Sequence, residues 1–349
     1  MALDETPPFW WKKNSWQAFA LSPLSYLFGR IAKSRMVFHR ATKVNVPVIC
    51  IGNFIAGGAG KTPTVHLLAK FAVKKNFKVG ILSRGYGGAI TTPTVVQANK
   101  HNAHDVGDEA LLHAKKAITV ISANRVLGAE LLIKQGCTII LMDDGFQNPA
   151  LHKDFNLVVV DAKRGLGNGF TIPSGPLRVP FKHQLLHTDA VFITGNGDAS
   201  DQVIRKTARA GKPIFHSTLD VFGRTKYKGQ NVLAFAGIAD PSKFFDTLEN
   251  IDIIIKERKS FGDHHFLTEE ECADLIDRSK AQKLKLFMTE KDDVRLKGMG
   301  EAQEKVRELS QVVRIALKPE DPAMLKRIFD LSIRRFNKRK VIQEAIEKL

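Results

Sequence analysis

The sequence predicts an α/β fold with a large parallel-sheet lobe, a second, smaller α/β lobe and an N-terminal amphipathic helix. Apolar, β-branched runs alternate with helix-like segments from about residue 46, as in a parallel sheet covered on both faces. This pattern relaxes into polar, basic sequence near residues 213–231 and then resumes. We therefore expect an N-terminal helix in residues 1–40, the larger lobe in 41–220, and the smaller lobe with a basic helical tail in 221–349.

The N-terminal segment combines aromatic and cationic residues. From Trp16 to Phe38, an apolar run is interrupted by Arg30, Lys33 and Arg35, well short of the roughly 20 residues that span a bilayer. Two interpretations stay open: a helix lying in the membrane interface, and a helix packed on the protein's own core. A secretory signal is not expected, because acidic residues come first and no clean apolar stretch with a cleavage site follows.

The predicted strands and helices follow in order along the two lobes. In the larger lobe we predict helices at 63–74 and 108–116, and strands at 46–51, 78–83, 119–122, 137–142, 156–161 and 189–194. In the smaller lobe we predict helices at 241–249 and 268–279, and strands at 231–236, 252–256 and 285–289. The tail from residue 321 reads as basic helix with a solvated charged face. Ligands of such sheets bind beyond the carboxyl ends of the strands.

The charge balance favours an anionic partner. With 53 Lys and Arg against 36 Asp and Glu, the formal net charge is +17. Nucleic acid, an anionic membrane surface and a phosphorylated substrate are the candidate classes. The sequence has no RNP motif or zinc knuckle, which disfavours nucleic acid. Its three cysteines lie far apart, as in proteins of reducing compartments.

A glycine-rich loop predicts a nucleotide site and a P-loop NTPase-like first lobe. The loop follows a predicted strand and precedes a helix, so its backbone N–H groups and the helix N-terminus would surround phosphate. Lys61 would reach the terminal phosphates, and the Thr62 hydroxyl would bind Mg²⁺. One position departs from the usual pattern, since Ile55 stands where a glycine is normal. The predicted ATP-binding residues are Ile55, Ala56, Gly57, Gly58, Ala59, Gly60, Lys61 and Thr62.

Acidic residues at a strand end predict the metal site. Asp143 and Asp144 close a buried run, as a Walker B carboxylate does. Because neighbouring strand residues point to opposite faces, the two are expected to differ in role, and which one touches the metal stays open.

Three further clusters are candidate site elements, and each of them also has an ordinary structural interpretation. Asp108 and Glu109 open a helix and would otherwise serve as its cap. The loop 261–265 contains Asp263, His264 and His265, and its histidines are either surface or capping residues or part of a carboxylate–imidazole pair able to accept a hydroxyl proton. The polar cluster 288–293 follows a strand, as a site element or a charged turn.

Together these segments resemble the tetraacyldisaccharide 4′-kinases of lipid A biosynthesis. The matches span residues 23 to 292 in the family's order, and the family's loop also lacks a glycine at the place of Ile55. The matching segments are Pro23–Gly29, Gly52–Asn53, Gly57–Pro63, Ser83–Gly88, Gly107–Glu109, Asp143–Gln147, Gly165–Gly169, Pro173–Arg178, Asp263–His264 and Thr289–Asp292.

The resemblance implies a reaction and roles for its residues. The γ-phosphate of ATP would pass, with Mg²⁺, to the 4′-hydroxyl of a tetraacyldisaccharide 1-phosphate, an anionic acylated lipid, giving lipid IVA. Asp108 would be the base, with His264 rather than His265 as its partner, and Lys61 would assist. The implied metal-site residues are Thr62, Asp143, Asp144 and Glu109, and the implied substrate-binding residues are Asn53, Arg84, Tyr86, Gln147 and Arg178.

The resemblance also implies a location and partners. The enzyme would attach peripherally to the cytoplasmic face of the inner membrane, with no nucleic acid or protein partner. Arg84, Arg164 and Arg178 would be candidates to bind the acceptor's phosphate.

Two other functions stay open from the sequence. One is a P-loop ATPase or GTPase switch without a lipid acceptor, where the absence of an Asn-Lys-x-Asp motif favours ATP over GTP. The other is a basic nucleic-acid-binding protein with an incidental P-loop.

Overall fold

The computed structural model describes residues 6–37 and 40–347. The N-terminal segment forms a short 3₁₀ helix (Pro8–Trp11), α1 (Trp16–Ala20) and α2 (Ser22–Val37). The single helix predicted from Trp16 is therefore divided at Leu21. Pro23 lies in the first turn of α2, where its missing N–H costs no hydrogen bond. Phe38, the predicted end of this helix, lies outside the described residues.

The strands and remaining helices alternate along most of the chain. The strands are β1 (Val48–Asn53), β2 (Val79–Ser83), β3 (Thr94–Val95), β4 (Ile118–Ile121), β5 (Ile139–Asp143), β6 (Phe155–Asp161), β7 (Ala190–Thr194), β8 (Ile214–Val221), β9 (Asn231–Ala236), β10 (Ile254–Ser260), β11 (Lys285–Thr289), β12 (Ser310–Val313) and β13 (Ile315–Pro319). The helices are α3 (Lys61–Lys74), α4 (Ala103–Val106), α5 (Asp108–Ala114), α6 (Arg125–Lys134), α7 (Phe181–His187), α8 (Asp201–Arg209), α9 (Pro241–Glu249), α10 (Glu269–Ala281), α11 (Glu290–Leu296), α12 (Glu301–Leu309) and α13 (Ala323–Glu347).

The larger sheet brings the predicted site residues to one edge. Within the described residues it has nine strands, in the order β13-β8-β7-β6-β1-β5-β2-β4-β3. All neighbours are parallel except β3 and β13, which pair antiparallel at the two edges. β1, β5 and β2 are buried along their whole length, as expected where helices cover both faces. Their carboxyl ends therefore meet at Asn53, Asp143 and Ser83. The predicted α/β fold is confirmed.

The smaller sheet has the order β10-β9-β11-β12, and all its neighbours are parallel. Its apolar residues form two clusters, one packed with α9 and one with α10. The strand β11 ends at Thr289, directly before α11. The carboxyl end of this sheet thus presents α11 to the larger lobe.

The C-terminal segment differs from the predicted division at residue 221. After the smaller sheet the chain returns to the larger one, where β13 pairs with β8. α13 then packs Met324, Leu325, Ile328 and Phe329 into the core cluster of the larger lobe, in contact with β6 and with Phe71 of α3. These residues form one apolar helix face, whose burial favours this return. The smaller sheet lobe therefore comprises about residues 231–313, and the first turns of the basic tail belong to the larger core.

Candidate active site

A cleft of about 1040 Å³ lies between the two lobes, at the carboxyl edge of the larger sheet. The P-loop lines one part of it, and loops of the smaller lobe line another. α2 contributes Ser34 and Arg35 to its wall. The lining residues from the predicted site are Gly57, Gly58, Lys61, Arg84, Tyr86, Glu109, Asp143, Asp144, Gln147, Arg178 and His264.

The P-loop has the backbone of a phosphate-binding loop. Gly57 and Gly60 have φ of 106° and 85°, in the left-handed region that glycine tolerates best. α3 begins directly at Lys61, so its free N–H groups point toward the cleft. Ile55 is buried in the core of the larger lobe, which explains why this position holds a large apolar residue. Asn53 lies beneath the loop, where its side-chain amide donates to the Gly57 carbonyl at 3.1 Å.

The two carboxylates at the end of β5 have different partners. Asp143 is buried, and its Oδ2 lies 2.8 Å from His113 Nε2, while its Oδ1 has no hydrogen-bond partner among the described residues. Asp144 has a φ of 49°, and the Arg178 guanidinium donates to both its oxygens at 2.8 and 3.0 Å. Burial opposes ionisation of Asp144, but Lys61 and Arg178 outweigh it and lower its pKa to about 2.

The oxygen groups near the P-loop fit a nucleotide-bound Mg²⁺. The Thr62 hydroxyl donates to Glu109 Oε1 at 3.3 Å, and the buried Asp143 Oδ1 is free to bind a cation or its water. Within the described ranges, no three His, Cys, Asp or Glu side chains form a metal-binding cluster. Mg²⁺ commonly binds one or two carboxylates together with substrate phosphates, so this donor set suits it.

Asp108 and His264 come together across the lobe interface. Asp108 opens α5 and is only 2% exposed. Its Oδ2 lies 3.1 Å from His264 Nδ1 and 3.2 Å from Arg295 Nε, and its Oδ1 accepts from the Glu109 N–H at 2.7 Å. Burial disfavours the charged carboxylate, but Lys291, the His264 hydrogen bond and Arg295 hold the Asp108 pKa well below its usual range.

His264 forms the exposed side of this pair and lines the cleft. Burial alone would lower its pKa, but the hydrogen bond and charge of Asp108 outweigh burial and raise it. His265 turns away, with its Nε2 2.8 Å from Glu271 Oε2. The structure therefore joins Asp108 to His264 and not to its neighbour.

Lys291 was not predicted as a site residue. It lies in α11, and its Nζ donates to Glu109 Oε1 at 2.7 Å. Lys291 is the largest cause that lowers the Glu109 pKa, to about 2, although burial opposes the shift. The polar cluster 288–293 after a strand was the one sequence signal for Lys291. The sequence did not show that Lys291 would contact Glu109 in the other lobe.

The predicted substrate-binding residues divide into two groups. Arg84, Tyr86, Gln147 and Arg178 line the cleft, whereas Asn53 lies beneath the P-loop. Arg164 instead pairs with Asp240 at 2.5 Å and does not line the cleft.

Arg125 is a further cleft residue that sequence reasoning missed. It is buried, and it donates to the Ser83 carbonyl at 3.1 Å. Burial lowers its pKa, although Asp144 opposes this shift.

A family model described as tetraacyldisaccharide-1-P 4′-kinase matches residues 17–333. The chain belongs to this family. A tetraacyldisaccharide 4′-kinase from Rhizobium rhizogenes is 48% identical over 331 residues, covering 95% of this chain and 93% of the relative. The corresponding kinase of Rhizobium meliloti is 48% identical over 332 residues, covering 95% of this chain and 96% of its own length.

A solved structure extends the family's likeness to the fold. The crystal structure of LpxK from Aquifex aeolicus, described as in complex with ATP, has a TM-score of 0.70 at 28% identity. The matched region covers 91% of this chain and 99% of the LpxK chain. The predicted family and enzyme class are thus confirmed: the chain is a kinase of the tetraacyldisaccharide 4′-kinase family. Membership in this family disfavours both the ATPase switch and the nucleic-acid-binding protein.

Proposed function

We propose that this kinase transfers the γ-phosphate of ATP to the 4′-hydroxyl of tetraacyldisaccharide 1-phosphate, forming lipid IVA. The observation that carries the proposal is one cleft that contains both a phosphate-binding loop and a carboxylate–imidazole pair. Lys61 lines it from the P-loop and His264 from the smaller lobe. A nucleotide and a hydroxyl acceptor can therefore meet in the same space.

The P-loop residues 55–62 bind the ATP phosphates, and Mg²⁺ accompanies the nucleotide. Thr62, Asp143, Asp144 and Glu109 would hold the cation, and Asp143 Oδ1 has no hydrogen-bond partner among the described residues. When bound, Mg²⁺ neutralises phosphate charge during transfer. Asp144 is occupied by Arg178 in this structure, so its contribution is chiefly electrostatic.

The Asp108–His264 pair accepts the proton of the attacking hydroxyl. Both Asp108 oxygens already accept hydrogen bonds, and this side chain is nearly inaccessible. His264 lines the cleft, so its imidazole is the group that meets the hydroxyl, while Asp108 orients it and stabilises its charged form. This refines the sequence-based expectation that Asp108 itself takes the proton.

Basic and polar residues of the cleft bind the acceptor. Arg84, Arg178, Tyr86 and Gln147 offer a cationic and hydrogen-bonding wall suited to a phosphorylated disaccharide. α2 adjoins this wall through Ser34 and Arg35, and its exposed apolar side chains, such as Leu27 and Ile31, are suited to bind the acyl chains.

The location follows from the lipid acceptor and the exposed apolar side chains of α2. The enzyme attaches peripherally to the cytoplasmic face of the inner membrane, with no requirement for nucleic acid or a protein partner. In the described ranges, no helix is both long and apolar enough to span a bilayer.

The test is incubation with labelled ATP and tetraacyldisaccharide 1-phosphate, followed by thin-layer chromatography. Lys61→Ala and Asp108→Ala are each expected to lower kcat by about 10²–10⁴-fold. The first removes stabilisation of the phosphate charge, and the second removes the partner of the proton-accepting imidazole. Asp246→Ala, a surface change, is the control.

The outcomes separate the alternatives. Near-normal turnover by Asp108→Ala would contradict the role of the pair. ATP hydrolysis without labelled lipid would indicate a switch. Salt-sensitive nucleic-acid binding without phosphorylation would indicate the third function.

A further inference from the structure

A row of hydrogen bonds, buried at His113 and Asp143 and partly buried at His66, runs from α3 to the end of β5. His113 Nε2 lies 2.8 Å from Asp143 Oδ2, and His113 Nδ1 lies 3.1 Å from His66 Nε2. The side chains of His113 and Asp143 are 0% and 1% exposed, and the His66 ring packs edge-on against His113 with centroids 5.1 Å apart. Neither histidine lines the cleft.

The direction of the bond to Asp143 follows from its chemistry. An ionised carboxylate only accepts hydrogen bonds, so His113 donates its Nε2–H to Oδ2. This bond occupies one oxygen of Asp143 and leaves Oδ1, which no described residue contacts by a hydrogen bond. Since Asp143 lines the cleft, its free oxygen is the one available to a cation.

We propose that His113 is a positioning residue that holds Asp143 so that Oδ1 faces the cation accompanying ATP. This inference rests on the Mg²⁺ site of the proposed function. Groups behind a metal ligand fix its orientation, and their loss usually weakens metal binding. His66 holds the His113 ring in place through the contact between His66 Nε2 and His113 Nδ1.

The hydrogen-bonded row of His66, His113 and Asp143 also joins the three elements that form the proposed metal site. His66 lies in α3, which begins with Lys61 and Thr62, and His113 lies in α5, which begins with Asp108 and Glu109. Asp143 ends β5. One row of side chains therefore sets the relative position of the threonine, the glutamate and the aspartate.

The experiment compares two amide substitutions of matched polarity in the full-length protein. His113→Gln places an N–H donor close to the position of Nε2, whereas the shorter His113→Asn does not reach Asp143. Mn²⁺ binding is measured by electron paramagnetic resonance in the presence of a non-hydrolysable ATP analogue. His113→Asn is expected to weaken Mn²⁺ binding by about 10–100-fold, and His113→Gln by about threefold or less.

Affinity for the analogue without metal should stay unchanged in both variants. Equal Mn²⁺ affinity in wild type and His113→Asn, or equal loss in the two variants, would overturn the role of His113. If wild type itself bound no Mn²⁺ with the analogue, the proposed metal site would fail and this inference with it. Should His113→Asn not fold, His66→Leu replaces it, and an unchanged Mn²⁺ affinity there would overturn the proposal.

Discussion

At the scale of single residues, the Asp108–His264 pair depends on contacts from two lobes. Arg295 and Lys291 of α11 keep Asp108 ionised in a buried position, and Asp108 in turn raises the pKa of His264. An unpaired buried carboxylate would instead tend to be protonated. The proposed proton acceptor is therefore formed only when α5 and the smaller lobe are in contact.

The raised pKa of His264 predicts the pH dependence of the reaction. A base must be neutral to accept a proton, so kcat/KM for the lipid acceptor should rise with pH and level off above the pKa of His264. That inflection should lie above 6.5, the ordinary value. In Asp108→Asn the negative charge that raises this pKa is lost, any remaining hydrogen bond to His264 is to a neutral amide, and burial remains, so the His264 pKa should fall. The pH–rate profile measures the inflection of kcat/KM, and an NMR titration measures the pKa of His264, in wild type and in Asp108→Asn.

The control for this pH prediction is His265→Gln, because His265 pairs with Glu271 and not with Asp108. Its inflection should match wild type. An Asp108→Asn inflection at the wild-type pH or higher would contradict the proposed pairing.

At the scale of elements, α2 packs on the protein through small residues. Ser25 Oγ donates to the Thr171 carbonyl at 2.6 Å, and a Cβ at Gly29 would lie 3.2 Å from Pro180. Its large apolar side chains, and those of α1, are mostly exposed: Trp16, Phe19, Leu24, Tyr26, Leu27, Phe28, Ile31 and Val37. Leu24, Leu27, Phe28 and Ile31 share one face of α2 by their helical spacing, and this exposed apolar face favours the interfacial interpretation over simple core packing.

Charged residues on this face should weaken membrane binding. Leu27 and Ile31 are 58% and 52% exposed, one turn apart on α2, and each contributes on the order of 1 kcal/mol or more when buried in lipid. We expect Leu27→Asp/Ile31→Asp to lower the bound fraction in liposome flotation by about tenfold, with vesicles containing anionic lipid.

The matched control for flotation is Val73→Asp/Leu309→Asp, which alters residues of similar exposure, 51% and 53%, on other helices. This variant should float like wild type. Equal flotation of the α2 variant and its control would favour α2 as a purely structural helix.

At the scale of the whole molecule, Arg164 connects three parts of the chain. It follows β6 in the larger lobe, pairs with Asp240 of the smaller lobe at 2.5 Å, and lies over the Trp11 ring at 4.5 Å. Its neighbour Lys163 pairs with Asp246 at 2.8 Å, but those side chains are 59% and 47% exposed. The partly buried pair should therefore matter more for stability than the exposed pair.

Two neutralising substitutions test this difference between the pairs. Asp240→Asn leaves Arg164 partly buried without its anion and should lower the free energy of unfolding by about 1–3 kcal/mol. Asp246→Asn should change it by about 1 kcal/mol or less, because exposed ion pairs contribute little. Urea unfolding of both variants measures the difference, and equal effects would contradict the predicted role of Arg164.

The predictable elements were those with local signals. The buried strands β1, β2, β5, β6 and β7 were predicted because continuous apolar runs mark strands covered on both faces. β10, at the edge of the smaller sheet, was predicted only in part because its second half is a run of charged residues, 256–259, and β8 was taken for a lobe boundary. β12 and β13 were missed because they are short and only partly buried.

The sequence by itself determined the P-loop, the acidic end of β5 and the kinase family, because each depends on residues adjacent along the chain. Only the tertiary structure decided the partners of these groups. Glu109 meets Lys291 across 182 residues, and Asp143 meets His113 rather than Arg178. The tertiary structure also decided that α13, which follows the smaller lobe in the sequence, packs on the larger lobe. Such contacts depend on which buried faces pack together, and no local pattern of residues specifies that.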